Sequence, residues 1–224
     1  MLISFFLKQF FVLGLDCIYP PTCVCCRNDG KWLCAECQNK ISFHSSKDGV
    51  DSSLEARCVW MGAYANPVLR ALLTNIKYRS AHCLLPVLVD ILRIFRMQKV
   101  EPWPWVGEPK LVITAVPSDK RRLRERGIDH TALLIEILQA ELVPWAERSN
   151  LLRRKKHVQQ NANLPTNELR KINVRGVFEV CQKISSPVLL IDDVYTTGAT
   201  WHEAEQTLIT AGAPRVYGFF FAKG

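Results

Sequence analysis

The chain has no apolar run long enough to cross a membrane. Its most apolar stretch, Leu2–Leu15, is split by Lys8-Gln9 and falls short of the ~20 residues that a spanning helix needs. The marks of a secretory leader are also missing: no basic residue precedes that stretch and no small-residue cleavage site follows it. Without export the compartment is reducing, which excludes a disulfide framework for the nine cysteines. The expected location is the cytoplasm, with Leu2–Leu15 an N-terminal helix packed on the protein or a partner; peripheral attachment to the inner face of the membrane is the lesser reading. Acidic residues are scarce, 21 against 29 Lys and Arg, for a net charge of +8. Between Lys110 and Phe178 there are 14 Lys/Arg and 7 Asp/Glu, so that segment holds most of the surplus. Concentrated there, it favours phosphates, whether pyrophosphate, nucleic acid or anionic lipid. A hydrophobic content of 48% excludes disorder, and 224 residues suit one core domain with a small appendage.

Five of the cysteines crowd together. Cys23-x-x-Cys26 and Cys34-x-x-Cys37 form two hooks joined by the polar, turn-like Arg27–Lys31 segment. Each hook places two thiolates on one edge of a metal, and two hooks close a tetrahedral Zn²⁺ site of the structural kind. Cys25 competes with Cys26 for the fourth position, and Cys17 lies just upstream. Four thiolates leave no open coordination position, so the zinc stabilises a small module and does no chemistry. Cys58, Cys83 and Cys181 sit among apolar residues and are expected in the core. The module covers residues 1–45, residues 39–56 form a polar linker, and the main domain covers 57–224.

The most informative run is Val188–Thr200. Four apolar residues end in Asp192-Asp193, and Thr196-Thr197-Gly198-Ala199-Thr200 follows. The apolar run reads as a strand buried on both faces, and the turn leads into a helix start over Trp201–Ala211. Free N–H groups and the helix dipole favour a phosphate there, Gly198 permits close backbone approach, and the threonines add uncharged donors. The aspartates stand at the carboxyl end of the strand, where open α/β sheets bind ligands. They can accept hydrogen bonds from vicinal hydroxyls or help to hold Mg²⁺. Together these features describe a site for a ribose 5-phosphate.

Elsewhere the pattern is coarser. Cys58–Tyr64 reads as a strand, and Asn66-Pro67 as a helix start followed by an apolar face that ends near Lys77-Tyr78. A second helix covers Leu84–Met97. Trp103 and Trp105 are read as packing residues, with base stacking the lesser reading. Lys110–Val116 is another buried strand, and behind Pro117-Ser118 comes a loop carrying Arg121, Arg122, Arg124 and Arg126, suited to bidentate phosphate contact. A helix follows over 128–142. Arg153, Arg154, Lys155 and Lys156 open a second basic stretch, 148–175, whose low hydrophobicity and many amides predict a mobile loop with a short helix at Thr166–Lys171. A strand follows at Val177–Val180, and a last one at Val216–Phe221.

The Val188–Thr200 run closely resembles the phosphoribosyl pyrophosphate (PRPP) motif of type I phosphoribosyltransferases. The resemblance implies a parallel sheet flanked by helices, with Asp192 and Asp193 on the ribose hydroxyls, Thr196–Thr200 on the 5-phosphate, the Arg121–Arg126 loop on pyrophosphate, and Mg²⁺ accompanying PRPP. With Pro-Pro-Thr-Cys23, Leu33-Cys34-Ala-Glu-Cys37, Tyr64 with Pro67, the Leu72–Tyr78 helix, the Arg121–Gly127 loop, and Arg170, Asn173, Arg175, Gly176 and Phe178, the chain is similar to the ComF family of bacterial competence proteins and its GntX-like branch. It departs at Ile128-Asp129-His130, where that family continues with Phe-Asn-Gln. The family resemblance implies a role in DNA uptake during natural transformation, with single-stranded DNA on a basic surface that includes Arg124, Arg126, Arg153, Arg154, Lys155 and Lys156. A DNA-uptake helicase or membrane machinery would be the partner. Transfer of phosphoribose to an unidentified acceptor is the alternative activity.

Overall fold

The computed structural model describes residues 21–44, 57–78, 81–99, 102–118, 124, 130–155 and 176–224. The expected N-terminal helix, Cys17, the rest of the linker, Arg121, Arg122, Arg126, Gly127–Asp129, Lys156 and the Thr166–Lys171 helix lie outside them.

A five-stranded sheet organises the chain. Its strands are β1 (Cys58–Trp60), β2 (Val112–Ala115), β3 (Glu147–Arg148), β6 (Val188–Tyr195) and β7 (Val216–Lys223), in the order β1-β7-β6-β2-β3. All four pairings are parallel. A separate antiparallel pair joins β4 (Leu152–Arg154) to β5 (Phe178–Val180). Period-two alternation divides the sheet residues between two cores. Leu189, Ile191, Phe219 and Phe221 face one cluster, with α2 (Pro67–Tyr78), α3 (Ala81–Gln98) and α4 (His130–Leu142). Val188, Leu190, Val216 and Phe220 face the other, with α5 (Ala199–Thr210) and the β4–β5 pair. A parallel sheet must be covered on both faces because its crossovers place helices there. That is why β6 and β7 are almost continuously apolar.

Local signals explain the elements. Asn66 Oδ1 accepts from the N–H groups of Val68 and Leu69 at 3.0 and 3.2 Å, and Pro67 occupies the first turn of α2. Beyond α5, Gly212 has φ +106°, and the Ala213 N–H reaches Leu208 O at 3.0 Å, a Schellman closure. β1 stops at Trp60; the chain continues through single bridges, Phe43 with Gly62 and Ala63 with Lys223, where one strand through Tyr64 was expected. Part of the stretch read as loop is ordered as β3 and β4. Cys58 is buried as expected, but Cys83 and Cys181 are exposed. Leu84 takes the core-facing place on α3, and Cys181 lies in the turn after β5. Trp105 is buried and stacks on Trp103 at 5.4 Å, the packing role expected of both.

The residues of the cysteine segment share the first core. Cys23, Leu33, Cys37 and Ile41 pack in the same cluster as α2 and α3. Phe43 lies 5.5 Å from the Phe95 ring, and Asn66 Nδ2 donates to Lys40 O at 2.8 Å. A short helix, α1 (Ala35–Gln38), carries the second hook.

Candidate functional site

Because β2 and β6 run parallel and in register, with Ala115 opposite Ile191, their carboxyl ends open together at one edge of the sheet. The Val116 N–H donates to Ile191 O at 2.9 Å, so Val116–Ser118 emerges beside Asp192–Val194. A cavity of about 180 Å³ lies at this edge. Its wall consists of Lys77, Val116, Pro117, Ser118, His130, Thr131, Arg154, Asp192, Asp193, Val194 and Thr200.

The two aspartates are half-buried and meet different surroundings. Asp193 takes Lys77 Nζ at 2.5 Å and His130 Nε2 at 3.4 Å, both on the same oxygen, Oδ2. Lys77 comes from the end of α2 and His130 from the start of α4, both on the first face of the sheet. Burial pushes the Asp193 carboxyl up, but the hydrogen bond from His130 and the ammonium of Lys77 overcome it and hold the group below the usual aspartate range. Asp192 is pushed up to about 7, first by burial and then by the Asp193 charge. Its Oδ1 accepts from the Asp193 N–H at 2.9 Å. Arg154, from β4, joins the wall, its Nε donating to Pro117 O at 2.9 Å and its guanidinium lying 5.2 Å from the Phe178 ring.

The turn after β6 enters α5 through Gly198, φ +74°, in the N-cap position. Thr197 Oγ1 accepts from the Ala199 N–H at 3.4 Å. Thr200 reaches the cavity wall; Thr196, Thr197, Gly198 and Ala199 form the turn beside it and are not part of the wall. On the other side Ser118 Oγ and Thr131 Oγ1 are 3.0 Å apart, so a second helix start, that of α4, borders the same space.

The remaining basic residues divide. Arg153 pairs with Glu179 at 2.5 Å and Lys155 with the same carboxylate at 3.8 Å. Arg124 is exposed. Sequence reasoning placed Arg154 on a nucleic-acid surface, whereas the β4 pairing turns it into the cavity wall. It assigned no role to Lys77 or His130. In sequence Lys77 stood out only as the end of the apolar helix that matches the family pattern, and His130 only as a departure from that pattern.

At the other end of the chain, the Sγ atoms of Cys23, Cys26, Cys34 and Cys37 all lie within 4.8 Å of one another, and those of Cys26 and Cys34 are 3.5 Å apart. A tetrahedral metal with sulfur at about 2.3 Å sets sulfur pairs roughly 3.8 Å apart, so this donor set can hold such an ion. Cys25 is outside the set. Arg27, at φ +65°, turns the first hook back, its N–H donating to Cys23 O at 2.8 Å. Burial works against ionisation of Cys23, but backbone N–H groups of Cys26, Cys34 and Cys25 directed at its sulfur bring it down to about 6. Burial and the neighbouring sulfurs push Cys37 the other way.

The fold and the pocket define an α/β protein of the kind that carries its ligand at the carboxyl ends of parallel strands, with a four-cysteine cluster able to bind a metal at its amino end. No family model matches the chain, and no curated protein matches it. Fourteen chains of solved structures match. One is described as the structure of the allosteric regulatory enzyme of purine biosynthesis, at 16% identity and a TM-score of 0.38 over 66% of this chain and 30% of that one. Another is the glutamine phosphoribosylpyrophosphate (PRPP) amidotransferase from B. subtilis complexed with ADP and GMP, at 15% and 0.37, again over 66% and 30%. The chain thus spans 30% of the length of each. The functional reading rests on the pocket itself.

Proposed function

We propose that the cavity at the tips of β2 and β6 binds a phosphorylated ribose of the PRPP class. One observation carries the reading: the twin-acid strand tip and the start of α5 border a single polar cavity, with Asp192, Asp193 and Thr200 in its wall. Hydroxyls of the sugar meet the acid pair, and the 5-phosphate sits against the Thr196–Thr200 turn, where free N–H groups and the helix dipole favour an anion. The pyrophosphate half falls to the Arg121–Arg126 loop on the sequence resemblance alone. Calorimetric titration with PRPP tests the site: wild type takes up the ligand, and an Asp192→Asn/Asp193→Asn variant loses about tenfold or more in affinity, the order of a lost charge-assisted contact. Absence of heat with wild type, with or without Mg²⁺, overturns the proposal.

The metal of the cysteine cluster is zinc in this reading, because four thiolates in a closed tetrahedral set suit it and leave no position for chemistry. Metal analysis should return one zinc per chain.

Single-stranded DNA handling in transformation is a second reading, supported by the net charge of +8 and the exposed Arg124. Glu179 offsets Arg153 and Lys155, so Arg124 and its neighbours would carry most of the contact. An Arg124→Glu variant should then bind single strands more weakly, with a shallower dependence on salt; an unchanged slope refutes it.

A further inference from the structure

Within the reading that this pocket takes a phosphorylated sugar, on which the following rests, one of the wall residues from outside the strand-and-turn motif is a lysine already paired with an acid of that motif. Lys77 arrives on the last turn of α2, and its Nζ lies 2.5 Å from Asp193 Oδ2. The helix that presents it is firmly seated: Asn66 caps it, and Val68, Leu69, Leu72, Leu73 and Ile76 are buried along one face. The Lys77 side chain is only 19% exposed, against 17% for that of its partner. A cation fixed in this way has already lost much of its rotamer freedom, so an anion that meets it incurs less ordering cost.

The same pair occupies the place where a divalent ion would be expected. Mg²⁺ requires near-octahedral oxygen ligands at about 2.0–2.1 Å and gives up its water reluctantly. Asp193 Oδ2 already receives Lys77 and, at 3.4 Å, His130, while Asp192 Oδ1 receives the Asp193 N–H at 2.9 Å. A metal seated on Asp193 Oδ2 must displace an ammonium from a half-buried carboxylate. With Lys77 and Arg154 both in the wall, the cavity has positive charge of its own to set against phosphate oxygens. We propose that Lys77 is a ligand-binding residue of this pocket and supplies its cation: the phosphorylated sugar is held against the ammonium that Asp193 fixes in place, and binding needs no divalent metal.

The test uses the full chain in buffer freed of magnesium by passage over a chelating resin, with no soluble chelator, so that the cysteine cluster keeps its metal. PRPP is titrated with and without added Mg²⁺. Wild type should bind within about threefold in the two conditions. Lys77→Met should lose about tenfold or more without Mg²⁺, the order of one charge-assisted contact, and recover part of it with Mg²⁺, since the freed Asp193 can then take the ion. Lys77→Arg, which keeps the charge, should stay within a few-fold of wild type, and its thermal unfolding reports whether α2 remains seated. Wild-type binding that appears only with Mg²⁺ overturns the inference and leaves the phosphorylated-sugar reading standing. Metal-free binding by Lys77→Met equal to that of wild type overturns it likewise. No binding in either condition removes the reading of the pocket and the inference with it.

Discussion

Asp192 and Asp193 are adjacent in the chain and opposite in their pH behaviour. Asp192 faces Asp193 and, less strongly, Lys77 and Arg154, and its carboxyl is pushed up to about 7, chiefly by burial. Between the ordinary value of 3.8 and about 7 the folded state holds a proton that the unfolded chain has released, so stability falls as pH rises through that window. Asp193 is lowered, so its contribution is present above 3.8 and is lost as pH falls below it. Asp192→Asn should therefore flatten the decline: its melting temperature equals or exceeds that of wild type at pH 8 and gains nothing at pH 5. Asp193→Asn leaves the half-buried Lys77 ammonium without its counter-charge and should cost about 1–3 kcal/mol in urea unfolding at pH 7. The acid pair was legible in sequence because its neighbours in the chain are its neighbours in the site. Lys77, His130 and Arg154 were not, because only the packing of α2, α4 and β4 against the sheet edge brings them there.

At the scale of elements, the β6–α5 corner depends on a residue without a side chain. Gly198 sits at φ +74°, and a Cβ placed there would meet the Tyr195 ring, 2.7 Å from its Cζ, and His202 Cδ2 at 3.2 Å. Gly198→Ala should destabilise by about 1–3 kcal/mol, from left-handed strain together with displacement of Tyr195, and should weaken ligand binding, because the same corner starts α5. Chemical denaturation and PRPP titration of one variant read both effects. Elements with local punctuation were readable: the Asn66-Pro67 start, the Gly212 stop followed by Pro214, and the apolar runs of β2, β6 and β7. The β4 strand was hidden, since Leu152-Arg153-Arg154 has no alternation of its own and becomes a strand only by pairing with Phe178–Val180. The exposed Cys83 shows the same limit, because an apolar neighbourhood in sequence does not say which face of a helix points inward.

For the whole molecule, the cysteine segment behaves as part of the main core. Cys23, Leu33, Cys37 and Ile41 lie in the cluster that also seats α2 and α3, and the Lys40 carbonyl holds the Asn66 side chain that caps α2. Removing the proposed zinc with a chelator, or Cys37→Ser, should therefore lower the main unfolding transition by roughly 5–10 °C, a few kcal/mol at this chain length, and produce no separate early transition. Scanning calorimetry of the treated and untreated chain checks this. A distinct low-temperature step with the main transition unmoved would make the segment an independent appendage.

The sheet order has a consequence for biosynthesis. Among the described residues, β1 pairs only with β7, and β2, β3 and β6 all lie between the two in the chain. Until β7 has left the ribosome, β1 has no sheet partner and β6 shows an open edge, the kind of surface that invites wrong pairings. Closure must wait until Val216–Lys223 has been made, so a nascent chain stalled before Val216 would present its hydrophobic faces to chaperones.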